Sequence, residues 1–165
     1  MIDKDEFCEQ IGIHQNAMYA LAYSIVKNEQ DACDIVGEAI LRAYSGITSL
    51  KNKNAFRTWI LRIVHNTAID FLRKQENHIS VEDIETYADN LSADNTDMAT
   101  KIALHDAVNR LSQPYRTVII LFYYEGLSTA RIAQITDTSI VAVRKQLHRA
   151  RKQLKEYLSR EVFIE

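Results

Sequence analysis

Apolar residues recur along this chain at intervals of three and four, with no sustained alternation of apolar and polar positions. A single proline and four glycines barely interrupt the pattern. The spacing predicts an all-α fold. Near the N-terminus Met18, Leu21, Ala22 and Ile25 form one stripe. Ile35, Ala39 and Ile40 form a second, with Leu41 and Tyr44 alongside, and Phe56, Trp59, Ile60 and Ile63 form a third. Helices are expected over about 3–28, 30–46 and 53–75.

A second helical set follows. Leu104, Val108 and Leu111 stripe its first helix. Ser112 is expected to cap the next, with Pro114 in its first turn, where a missing N–H is harmless. That helix should bury Val118, Leu121 and Phe122 and stop at Gly126. Ser128 is expected to cap a short helix, 129–135, and Thr138 a last one beginning near Ser139. A short helix, a tight turn and a longer helix make a helix-turn-helix. Ala133 is small where the two helices cross, and Asp137 falls at the turn, where it tolerates left-handed backbone. Val143 is placed to pack back on Ala133 and Ile132.

In the final helix Val143, Leu147, Ala150, Leu154 and Leu158 make one buried stripe. Arg144, Lys145, His148, Arg149, Arg151 and Lys152 are left for the flanks and outer face. A DNA major groove accepts such a helix, and its early residues reach base edges. Val141, Ala142, Lys145 and Gln146 lie in that early part, with Arg144 and His148 nearby. Arg149, Arg151 and Lys152 are better placed for phosphates.

Charge sharpens this picture. The 165 residues carry a formal net charge of −2, but unevenly. Residues 1–50 hold three Lys/Arg against eight Asp/Glu, and 51–74 hold six against Asp70 alone. Residues 75–100 hold seven acids and no base, and 101–165 hold eleven bases against six acids. Exposed charges act over about 8–10 Å at physiological salt, so local fields matter more than the sum. Two basic surfaces divided by an acidic spacer suit a protein that touches nucleic acid twice. The segment from 76 to 100, rich in Asp, Asn, Ser and Thr, reads as an acidic linker. It divides the chain into two small helical domains, 1–75 and 101–165.

Other chemistries find little support. Cys8 and Cys33 match neither a redox nor a zinc spacing and read as reduced thiols. The five histidines have no metal-ligand spacing, and no glycine-rich phosphate loop is present. No enzyme, cofactor or metal is expected. No apolar run approaches the ~20 residues of a membrane span. The acidic N-terminus does not read as a secretory signal, so a cytoplasmic location is expected. Asp31, Asp34 and Glu38 share a helix flank that reads either as solvated or as a landing site for a basic partner. Asn66 either satisfies a local hydrogen bond or reads the edge of an unstacked base.

Four stretches, "AYSIVKNEQDACDIVGEAILRAY", "FRTWILRIVHNTAIDFLRKQ", "LSQPYRTVIILFYYEGLSTARIAQI" and "VRKQLHRARKQL", occur in this order. Together they resemble the extracytoplasmic-function group of bacterial RNA polymerase sigma factors, built from regions 2 and 4 of the sigma-70 family. The resemblance implies that the first domain is region 2 and the second region 4, and that Asp31, Asp34, Glu38 and Arg42 dock on the β′ clamp of core RNA polymerase. It implies that Lys51, Lys53, Asn54, Arg57, Trp59, Arg62, Asn66, Asp70 and Arg73 open and hold the −10 promoter element, with Asn66 in a base pocket. Arg131, Ser139, Val141, Ala142, Arg144, Lys145, Gln146, His148, Arg149 and Arg151 would read the −35 duplex. Further implied partners are the polymerase β flap, promoter DNA and an anti-sigma factor.

The chain departs from the family pattern at four places. Gly37 stands for a usual Gln, Ile40 for an aromatic, Arg131 for Glu, and Val141-Ala142 for Gly-Thr. The last two changes imply a divergent promoter sequence. A stand-alone helix-turn-helix regulator with a helical sensing domain is the competing reading. It needs one DNA surface and usually a symmetric dimer, and the second basic region with Trp59 and Asn66 argues against it.

Overall fold

A computed structural model of the chain describes residues 1–76 and 98–162. The described residues form seven α-helices and no strand. They are α1 (Lys4–Val26), α2 (Glu29–Ser45), α3 (Phe56–Glu76), α4 (Met98–Arg110), α5 (Tyr115–Ile119), α6 (Thr129–Thr136) and α7 (Ile140–Val162). Residues 77–97, most of the expected acidic linker, lie outside the described residues. Glu76 belongs to α3, and 98–100 open α4.

Helices α1, α2 and α3 pack on one another. Asp3 caps α1 by accepting from Glu6 N at 2.8 Å, and Asn28 caps α2 by accepting from Asp31 N at 2.9 Å. Between them Lys27 takes left-handed backbone (φ 53°) and its N–H closes α1 on the Tyr23 carbonyl. Buried alanines at 32, 39 and 43 let α2 approach its neighbours closely, and Phe56 fills the space between, edge-on to Phe7 at 6.0 Å. Met18, Leu21, Ala22, Ile25, Ile35 and Ile60 are buried as their spacing predicts, whereas Ile40, Trp59 and Ile63 are half-buried. Two 3-10 turns, Ile47–Ser49 and Lys53–Ala55, join α2 to α3.

In the second half α5 widens into a π turn, Ile120–Tyr124, and the chain reverses at Gly126 (φ +63°). Three expectations change. Ser112 contributes its carbonyl, not its hydroxyl, to the start of α5, accepting from Arg116 N at 3.1 Å, and Pro114 itself is the cap. Ser139, not Thr138, caps α7: Ser139 Oγ accepts from Ala142 N at 3.0 Å, while Thr138 pairs with the Thr136 hydroxyl. Leu104 is 40% exposed rather than buried, because among the described residues it sits at the rim of the helix packing, not inside it. Asp137 has the left-handed backbone its position predicts (φ 55°), and Val143 is buried with Ile132 and Ala133.

The two halves share one contiguous apolar core, with α3 against α6 and α1 against α5. Arg116 is 6% exposed and donates to the carbonyls of Ser24 and Leu111. Ser24 and Thr117 hydroxyls pair at 3.0 Å, Gln113 donates to Ser24 O, and Lys27 Nζ donates to Asn109 O at 2.7 Å. Among the described residues no buried side-chain polar atom lacks a partner. That matters because an unpaired buried donor costs about 1–3 kcal/mol.

Candidate nucleic-acid and polymerase interface

Helix α7 separates its faces cleanly. Val143, Leu147 and Ala150 are buried, and Leu154 and Leu158 half-buried. Arg144, Lys145, His148 and Arg149 are exposed on the other side, as are Ser139 and Val141, with Ala142 and Gln146 between. The residues expected at a DNA duplex therefore share one solvent-facing cationic surface. Arg151 departs from it. Its guanidinium lies over the rings of Phe122 (5.5 Å) and Tyr123 (5.6 Å), and Nε donates to Tyr123 Oη at 2.6 Å.

That aromatic contact edges a groove of about 760 Å³ between α4, α5 and α7. Val108, Ile119, Leu154 and Leu158 line it, exposed Leu104 and Tyr124 flank it, and Arg151 and Lys155 add positive charge. It is an apolar trough of the kind that accepts the hydrophobic face of a helix. The sequence signalled it only through Leu104 and the Tyr123-Tyr124 pair.

The second basic surface lies on α3 and the turn before it. Lys51, Lys53, Asn54, Arg62, Asn66 and Arg73 are exposed, and Arg57 and Trp59 half-buried. The Asn66 amide oxygen makes a long hydrogen bond of 3.5 Å with His65 Nδ1, and the side chain is exposed. Lys53 is paired with Glu6 at 2.6 Å. Asp70 is also engaged: Arg42 bridges Asp70 (3.0 Å) and Glu38 (3.1 Å), tying α2 to α3. Those hydrogen bonds raise the already high pKa of Arg42. Asp34 and Glu38 are exposed on α2, and Asp31 is partly covered; burial, with Asp34 adjacent, raises its carboxyl pKa against the hydrogen bond from Gln75. Gly37 has open space where a Cβ would stand, so packing does not require a glycine there.

Several expected DNA-binding side chains are instead engaged across the halves, each with a residue not expected at DNA. Arg57 Nη2 donates to Glu125 O at 2.8 Å and pairs with its carboxylate at 3.2 Å. Arg131 Nη1 donates to Thr58 Oγ1 at 3.4 Å, and Arg62 lies 3.6 Å from Asp137. Sequence spacing gave no sign of these contacts. Among the described residues no His/Cys/Asp/Glu group is arranged to hold a metal, and no helix is long and apolar enough to cross a membrane.

Comparison with known proteins agrees with this architecture. The family description "Sigma-70 region 2" matches residues 11–78 and "Sigma-70, region 4" matches 101–154. The chain is 40% identical over 148 residues to RNA polymerase sigma factor SigV of Bacillus subtilis, covering 90% of this chain and 88% of that one. It is 30% identical over 169 residues to ECF RNA polymerase sigma factor SigW of the same organism, covering 94% and 90%. Its fold is similar to that of the sigma factor RpoE of Bartonella quintana, solved with the anti-sigma factor NepR (TM-score 0.76, 22% identity, 93% and 97% covered). It is also similar to CnrH, solved with the cytosolic domain of CnrY (TM-score 0.68, 22% identity, 95% and 90% covered). With regions 2 and 4 matched in order and relatives aligned over nearly their whole length, the chain belongs to the extracytoplasmic-function group of the sigma-70 family, as an alternative sigma factor that directs promoter-specific transcription by RNA polymerase.

Proposed function

We propose that α7 reads the −35 element as duplex and that α3, with the turn before it, captures the −10 element as single strand. The observation that carries this reading is the outward cationic face of α7, from Val141 to Arg149, set opposite its buried stripe. Asn66, exposed on α3 beside Arg62 and half-buried Trp59, offers an amide and a ring to an unstacked base. Flipping a base costs a few kcal/mol, which contacts to core polymerase must help offset. The acidic flank of α2, Asp34 and Glu38, docks on the β′ clamp, and the α4–α5–α7 groove takes an apolar helix of the β flap. An anti-sigma factor, as NepR is for the Bartonella quintana relative, would hold the chain inactive by covering these surfaces.

Both elements cannot be bound by the compact arrangement. Some 25 base pairs separate them, on the order of 85 Å at ~3.4 Å per pair, whereas α3 and α6 are in contact. The two modules must part on the promoter, releasing Arg57, Arg62 and Arg131. Run-off transcription on genomic fragments with purified core polymerase tests the reading. Specific transcripts are expected only when the chain is added, and gel shifts on those promoters should need core enzyme. Tight promoter binding without polymerase would instead favour a stand-alone regulator.

A further inference from the structure

Val141 is the apolar head of an otherwise polar stripe. With Lys145 and His148 it follows the four-then-three spacing of one helix face, opposite buried Val143 and Leu147. It is 58% exposed, more than its neighbour Ile140 at 40%, and it lies in the first turn of α7, fixed by the Ser139 cap on Ala142 N. Neither the core nor the contact between α3 and α6 accounts for a branched apolar side chain at this position. The cations around it, Arg144, Lys145 and Arg149, draw the same face towards phosphates.

We propose that Val141 is a specificity-determining residue that packs on a thymine 5-methyl group in the −35 duplex; this rests on the −35 reading above. First-turn residues of a recognition helix contact base edges. Thymine alone presents a methyl in the major groove, while the other base edges there offer polar groups that an isopropyl would cover without a hydrogen bond. Valine is stiff at χ1, so little rotamer freedom is lost in the contact. Val141 thus selects a T·A pair at one position of the element.

The test uses the full chain with core polymerase and duplex promoter fragments selected from a pool randomised over the −35 region. Each thymine of the selected element is replaced singly by deoxyuridine, which pairs identically but lacks the methyl. At one position the wild-type holoenzyme should lose about fourfold in affinity, the worth of one buried methyl. Val141→Ala should lose a similar factor on the unmodified duplex and no longer respond to deoxyuridine there, whereas Val141→Ile should keep the response. A selected element without thymine, insensitivity at every thymine, or a Val141→Ala protein that still responds would each overturn the proposal while leaving the −35 reading standing. A selection that returns no −35 preference would remove both. Val141 is exposed, so an unchanged melting temperature is expected for each variant and separates a lost contact from misfolding.

Discussion

Arg57 of α3 and Glu125, in the turn after α5, join the two halves through one guanidinium nitrogen, which meets both the backbone carbonyl (2.8 Å) and the carboxylate (3.2 Å) of the same residue. The Glu125 side chain is only 18% exposed, so solvent screens this pair less than the Arg62–Asp137 contact, whose side chains are 51% and 79% exposed. Glu125→Ala should therefore loosen the compact form, with a coupling to Arg57→Ala of roughly 1 kcal/mol, whereas Asp137→Ala should barely change it. Single-molecule energy transfer between labels on the two modules reads the open fraction. Equal behaviour of the two variants would remove Glu125 as a latch.

Arg116 holds the centre of the same interface. Replacing it with methionine keeps much of the volume but takes the guanidinium donor from the Leu111 carbonyl and leaves the Ser24 carbonyl with Gln113 alone. The expected loss is about 2–3 kcal/mol, seen as a lower urea midpoint. An unchanged midpoint would show that water replaces the guanidinium without penalty.

His14 stacks on Phe56 at 5.9 Å near Arg57 and Glu125, and His65 lies beside Asn66 near Asp137. Burial pushes both imidazoles below their ordinary 6.5. Arg57 adds to the depression at His14 while Glu125 opposes it; at His65 the hydrogen bond to Asn66 and then the charge of Asp137 oppose it. The unfolded chain then binds protons first as pH falls, so stability is full above about pH 6.5 and declines from there towards the depressed values. Urea midpoints at about pH 7.5 and about pH 5.5 should differ less for the His14→Gln/His65→Gln double variant than for the wild type. An equal difference would mean that other groups carry the acid sensitivity.

On the duplex-facing side, Arg144→Ala with Lys145→Ala removes two exposed cations. If both touch phosphate, the slope of log affinity against log salt should fall by up to about 1.8. Holoenzyme titrations across salt concentrations measure it, and an unaltered slope would place these side chains away from the backbone.

Asn66→Ala removes an exposed amide held only by a long, 3.5 Å hydrogen bond to its neighbour His65. Melting temperature should hold while open-complex formation drops, read as lower permanganate reactivity of −10 thymines. Normal opening by this variant would take Asn66 out of the base-capture role.

Local order was largely legible in the residues. Asp137 at the turn, Gly126 after α5, Ser128 as a cap, and the stripes of α1 and α7 each follow from interactions between residues at most a few positions apart, which spacing reports directly. The cationic face of α7 was legible for the same reason: burying Val143, Leu147 and Ala150 turns Arg144, Lys145 and Arg149 outward. Spacing does not reveal what meets across distance. Arg57 on Glu125, Arg116 on Ser24 and Arg151 over Phe122 and Tyr123 join residues 68, 92 and up to 29 positions apart, and an arginine looks the same in a sequence whether it awaits a phosphate or already holds a carbonyl. The chain thus determined its helices and their faces through short-range periodicity, while tertiary packing alone decided which cations are occupied and that the two modules share one core, because burial and long-range hydrogen bonds depend on where separate helices come together.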